Sequence, residues 1–191
     1  LEELTGMSCG LHHVGGITLA DNQDRFDMLL AERAKHRFMG LDTEIVGPEE
    51  IAKIAPITNL DGIVGGLYDP LDGHLDPSGT THAYAKAARM GGATIELHTK
   101  VMATNQRADG TWDVITNKGN IHAEHIVNAA GLWAREVAAM AGTYAPLHPM
   151  EHQYIVADDL PEIYERAAEP PHVMDPAGES YLRQEGRGLC I

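Results

Sequence analysis

The chain has 191 residues, 43% of them hydrophobic, and a formal charge of −14. That apolar fraction supports a packed core and argues against disorder, while the acidic balance argues against nucleic-acid or anionic-membrane binding, which needs a clustered basic face. No apolar run approaches the ~20 residues that cross a bilayer, and no signal-peptide pattern is present.

Residues 1–6 read as the end of a helix. Residues 11–20 read as a strand interrupted by Gly15 and Gly16, a pair that predicts a bulge or a close backbone approach. Asp21 or Asn22 can cap the next helix, in which Phe26, Leu29, Leu30, Ala34 and Phe38 form one apolar stripe expected to pack on the core. Gly40 ends it, and Arg33, Lys35, His36 and Arg37 near its end are expected to face solvent. Glu44-Ile45-Val46 is a short strand, and Pro48 opens a helix that Pro56 stops. Residues 62–77 read as loop. Asp76 is then a good N-cap, and Pro77 a good first residue, for an alanine-rich helix reaching about Met90. Its Ala83, Ala85, Ala87 and Ala88 predict close packing against a sheet.

From Ala93 the pattern becomes extended. Residues 94–98 alternate, 101–106 form a strand, and Asp109-Gly110 is a hairpin signal leading into 112–116. A second turn at 117–120 leads into 121–124, giving a three-strand meander. The run His125-Ile126-Val127-Asn128 then reads as a buried strand that halts at Ala129-Ala130-Gly131 and passes into a helix over 132–140. Small residues at such a corner let a backbone approach a bulky ligand, and the helix N–H groups can face an anion. Ordinary strand-to-helix packing accounts for the same residues. Trp133 is read as a core anchor, the alternative being a wall beside a cofactor. Residues 148–156 read as a strand and 161–167 as a short helix. Residues 172–174, 180–184 and 189–191 read as strands of part of an antiparallel sheet. The whole is a mixed α/β and α+β pattern.

Eleven histidines are present, but none pairs with a carboxylate at ligand spacing, so no metal site is expected. Cys9 and Cys190 fit no metal spacing and are read as reduced thiols. The start at Leu1 and the uncapped run 188–191 predict a piece of a longer protein.

Four ordered motifs carry a resemblance. They are Gly66-Leu67-Tyr68-Asp69-Pro70-Leu71-Asp72-Gly73-His74-Leu75-Asp76-Pro77, Asp109-Gly110-Thr111-Trp112-Asp113-Val114, residues 126–137 from Ile126-Val127-Asn128 to Val137, and Glu151-His152-Gln153-Tyr154. Together they resemble the dimethylglycine dehydrogenase and sarcosine dehydrogenase family, FAD-dependent members of the D-amino-acid oxidase superfamily. His152-Gln153-Tyr154 is more similar to the dimethylglycine enzymes.

The resemblance implies part of an FAD-binding α/β domain with a β-meander, plus part of an antiparallel-sheet substrate domain. It divides the chain into a substrate-domain portion with connecting segments (1–75), an FAD-domain portion (76–143) and a second substrate-domain portion (144–191). The family's GxGxxG turn, its flavin-linking histidine and its folate-binding region have no counterpart here, so this chain alone is expected to lack turnover and tight FAD binding.

The implied reaction removes hydride from the N-methyl carbon of a glycine derivative to flavin. The iminium product is hydrolysed to formaldehyde or captured by tetrahydrofolate. The electron acceptor is left open. His152 is implied as the group that removes or shares the amine proton, Tyr181 as an active-site hydrogen bonder, and Arg183 as a partner of the substrate carboxylate. Without the family, His152 and Tyr181 read as structural residues and Arg183 as half of a surface ion pair. Val101 is implied beside the adenine, with Ala129, Ala130 and Gly131 close to the nucleotide, and the Gly73-His74 loop could border the flavin pocket. The alternatives are an oxidase of another amine or amino acid, and a catalytically silent regulatory homologue. The expected compartment is a bacterial cytoplasm, or the mitochondrial matrix in a eukaryote.

Overall fold

A computed structural model describes residues 1–191, which divide into two compact units, residues 1–91 with 153–191 and residues 92–152. The first unit opens with α1 (Glu2–Thr5), β1 (Gly16–Ala20), α2 (Gln23–Phe38), β2 (Glu44–Val46), α3 (Pro48–Ile54), β3 (Gly65–Asp69) and α4 (Pro77–Met90). The helix starts follow their capping residues. The Asn22 side chain accepts from the Arg25 N–H, Pro48 occupies the first turn of α3, and the Asp76 carboxylate accepts from the Ser78 and Gly79 N–H groups.

Residues 65–69, expected to be loop, form β3, which lies between β1 and β2 and is antiparallel to both. The glycines that suggested a loop are required by packing. A Cβ on Gly65 would lie 2.6 Å from the Phe26 ring, and one on Gly66 would lie 2.9 Å from the Thr18 carbonyl. Ile17 and Leu19 alternate into a core completed by Val46, Ile51, Ala55 and Val173.

The apolar stripe of α2 is only partly core. Phe26 and Leu29 are half-buried, whereas Leu30 and Ala34 are exposed and Phe38 is 93% exposed. The helix touches the sheet along one line, and its basic end is not simply solvated. Arg33 Nε donates to the Thr43 carbonyl at 3.1 Å, and His36 Nδ1 lies 3.2 Å from Thr43 Oγ1, tying the helix to the turn before β2. In α4 only Ala83 is buried, and the helix packs on α1 rather than on a sheet.

The second unit holds β4 (Val101–Gln106), β5 (Trp112–Thr116) and β6 (Gly119–Ala123), an antiparallel meander in chain order, followed by α5 (Ala134–Met140). Gly110, at φ 87°, supplies the left-handed residue of the first hairpin. Residues 94–98 do not form a strand: 94–96 have no regular structure and 97–98 turn, with His98 at φ 54°. The buried strand expected over 125–128 is absent, and Val127 is 88% exposed. A β-branched run becomes a strand only where another strand offers it an edge, and the meander of this unit pairs only with itself.

Back in the first unit come α6 (Pro161–Tyr164), β7 (His172–Asp175), β8 (Ser180–Glu185) and β9 (Gly188–Cys190). β7 runs parallel to β1 with Gly16 opposite His172, which completes a six-stranded mixed sheet in the order β2-β3-β1-β7-β8-β9. The strand expected over 148–156 shrinks to its end. Ile155 exchanges two backbone hydrogen bonds with Ile191, and the Ala157 N–H donates to Leu189. No helix is long and apolar enough to cross a membrane.

Candidate active site and ligand cavity

The first unit contains a cavity of about 410 Å³ lined by His12, His74, Asp76, Glu169, Arg183 and Glu185, among others. Its floor is set by the backbone. His12 and His74 form an isolated antiparallel bridge, the His12 N–H donating to the His74 carbonyl at 2.8 Å and the His74 N–H to the His12 carbonyl at 3.1 Å. A directly opposed pair of this kind puts both side chains on one face, and the two imidazoles stack with centroids 4.7 Å apart and planes 18° from parallel. Gly73 makes the bridge possible, because a Cβ there would lie 1.9 Å from the His12 carbonyl oxygen.

Glu169 spans the stacked pair, with Oε2 2.7 Å from His12 Nδ1 and Oε1 2.7 Å from His74 Nε2. Burial pushes its carboxyl up, but the hydrogen bonds and charges of the two imidazoles outweigh burial and hold it below the ordinary carboxylate range. Arg183, on β8, reaches the same cavity and is paired with Glu185 at 2.6 Å, while also donating to the Gln184 carbonyl. The sequence pointed to Arg183 and to the Gly73-His74 loop. It gave no sign of His12 and Glu169, which stand 157 residues apart and form no spacing motif. Tyr181 lies two residues before Arg183 on β8, paired with Met174 of β7, and is 41% exposed. His152 is the last residue of the second unit, on an exposed segment without helix or strand.

In the second unit the corner at Ala129-Ala130-Gly131 is organised by Asn128. Its Nδ2 donates to the Ala134 carbonyl at 2.7 Å, and its Oδ1 accepts from the Ala130 N–H at 3.3 Å. Gly131 adopts φ 54°, opens a single 3₁₀ turn to Trp133, and a Cβ there would meet nothing within 4 Å. Trp133 is 68% exposed, so it is not the core anchor expected; α5 buries Ala134 and Ala138 instead, and the small alanines let the helix settle against β4. Val101 begins β4 and is half-buried. The corner therefore presents small residues and open backbone, which fits close passage of a bulky cofactor.

A mixed sheet in one unit and a separate antiparallel meander in the other make a mixed α/β architecture. The chain belongs to the DAO family of FAD-dependent oxidoreductases, which it matches over residues 1–191. It is 42% identical to the mitochondrial dimethylglycine dehydrogenase of Rattus norvegicus over all 191 residues, which make up 22% of that protein. It is 33% identical to the mitochondrial sarcosine dehydrogenase of Mus musculus, again over its full length and 21% of that protein. Among solved structures, L-proline dehydrogenase from P. horikoshii superposes with a TM-score of 0.85 at 27% identity, covering 99% of this chain and 50% of that one. The chain thus spans about a fifth of the length of the curated relatives it matches.

Proposed function

We propose that the whole protein oxidatively demethylates an N-methylated glycine, dimethylglycine in first place and sarcosine in second. The observation that carries this reading is the 42% identity to a dimethylglycine dehydrogenase along the entire chain, against 33% to a sarcosine dehydrogenase. Val101 and the Ala129-Ala130-Gly131 corner are the residues of this chain that would hold FAD, through backbone and small side chains. When bound, FAD supplies the acceptor for the electron pair leaving the N-methyl carbon.

The roles left to the chain's own residues are binding and proton handling. A protonated amine has no lone pair to drive loss of hydride, and an imidazole can take or share that proton at neutral pH; His152 has this role. Tyr181 donates a hydrogen bond and offers an apolar ring edge. Arg183 binds the substrate carboxylate with its planar fork, in competition with Glu185, which occupies it in the structure. Hydrolysis of the iminium gives formaldehyde, and its capture by tetrahydrofolate belongs to parts of the protein outside this chain. The compartment is one that keeps thiols reduced, a cytoplasm or a mitochondrial matrix, in keeping with free, buried Cys9 and Cys190.

Product analysis of the full-length protein tests the reading. Dimethylglycine should yield sarcosine and formaldehyde in equal amounts when an artificial electron acceptor is supplied. Consumption of an unmethylated amino acid with no formaldehyde would assign an amino-acid oxidase instead.

A further inference from the structure

We propose that His12, His74 and Glu169 form a binding site for a divalent metal ion, with zinc the ion that suits the donor set. Two imidazole nitrogens and a carboxylate oxygen are the ligands zinc takes when water completes a four-coordinate site. Their donor atoms all lie within 4.8 Å of one another.

The platform is built rather than accidental. The His12–His74 backbone bridge fixes both Cα–Cβ bonds on one face, and Gly73 is the residue whose missing Cβ allows it. Glu169 comes from the other side, immediately before Pro170-Pro171, with Pro170 and Pro171 buried, so the segment carrying the carboxylate is stiff while the side chain can turn. The carboxylate's neighbours in the cavity are Asp76 and Glu185, with Arg183 as the only cation in the lining and already paired. The local charge therefore favours a cation.

Tetrahedral zinc holds its donors ~3.3 Å apart. The stacked rings have to converge by rotation about their side-chain torsions, and Glu169 has to leave its two hydrogen bonds so that one oxygen meets the metal. Each imidazole binds through a nitrogen that carries no proton, so His12 Nδ1 and His74 Nε2 face the ion with any ring proton on the opposite nitrogen. The cavity of about 410 Å³ leaves room for the water ligand. The ion would clip together three segments that are 62 and 95 residues apart in sequence, positions 12, 74 and 169.

The site stands apart from the demethylation reading, because its test reads metal binding and needs no turnover. The purified full-length protein is titrated with Co²⁺ alone, as a coloured stand-in for zinc, and then with Zn²⁺, each read as a difference spectrum against the metal-free protein. The expected result is one equivalent of Co²⁺ with visible ligand-field bands, displaced stoichiometrically by Zn²⁺, and a rise in melting temperature with either ion. H12Q, H74Q and E169Q should each weaken the affinity by at least ten-fold, while H13Q, outside the set, should not. Circular dichroism of each variant establishes that it is folded, and H12Q, which changes the more exposed histidine, covers the case in which H74Q unfolds. Binding that survives H12Q and E169Q unchanged, or no binding by the wild-type chain at millimolar Co²⁺, would overturn the proposal and leave the cluster a hydrogen-bonded clasp.

Discussion

Gly73→Ala places a methyl group where the structure has no room for one. Its carbon would stand 1.9 Å from the His12 carbonyl oxygen, a backbone atom that no side-chain rotation can move. Either the bridge between residues 12 and 74 opens or the peptide shifts, and opening it forfeits hydrogen bonds of 2.8 and 3.1 Å. Each backbone hydrogen bond is worth about 0.5–1.5 kcal/mol net, and the strain left by overpacking adds about 1–3 kcal/mol. The loss is therefore about 2–6 kcal/mol, and at about 2–4 °C per kcal/mol for a chain of this size the melting temperature falls by several degrees or more. The assay is thermal unfolding by circular dichroism beside Gly91→Ala, where φ is −80° and the nearest atom is 3.4 Å away. A Gly73→Ala melting temperature equal to that of Gly91→Ala would refute the reasoning. It would mean that the bridge positions nothing the fold depends on.

Ile51→Ala empties a fully buried position in the core cluster, and urea unfolding should show a loss of about 2–5 kcal/mol. Asp76→Ala removes the acceptor for two N–H groups at the start of α4, and the same measurement should show a loss of about 1 kcal/mol. Glu169 sits below its ordinary range in the folded state, so its ionisation stabilises the fold above that range and the contribution is lost as pH falls through the depressed value. The stability difference between wild type and E169Q should accordingly be largest near neutrality and shrink in acid; a difference constant with pH would contradict the ion-pair assignment. In the full-length protein, His152→Ala should slow reduction of the bound flavin by dimethylglycine and change the shape of its pH profile, measured by anaerobic stopped-flow absorbance.

Local chemistry made the caps and turns legible. Asn22, Pro48, Asp76 and Gly110 each act within a few residues, and each stands where the pattern put it. Non-local packing was harder to read. Gly65 and Gly66 resemble loop residues until Phe26 and Thr18 are seen against them, and the strand they form is central to the sheet. The error at 125–128 has the opposite origin, for the run has strand chemistry and yet pairs with no strand of its unit. Phe38 misled in a similar way, since helical period gives a face but not whether anything covers it. At the cavity, Arg183 could be named from the chemistry of its guanidinium, whereas Glu169 joins His12 and His74 only through tertiary structure.

The most direct measurement is the visible spectrum of the full-length protein, purified with its flavin and mixed anaerobically with dimethylglycine. The account predicts bleaching of the flavin absorbance, faster with dimethylglycine than with sarcosine, and recovery when an electron acceptor is admitted. A protein that purifies without flavin and cannot be reconstituted, or one whose flavin is untouched by either amine, would contradict it.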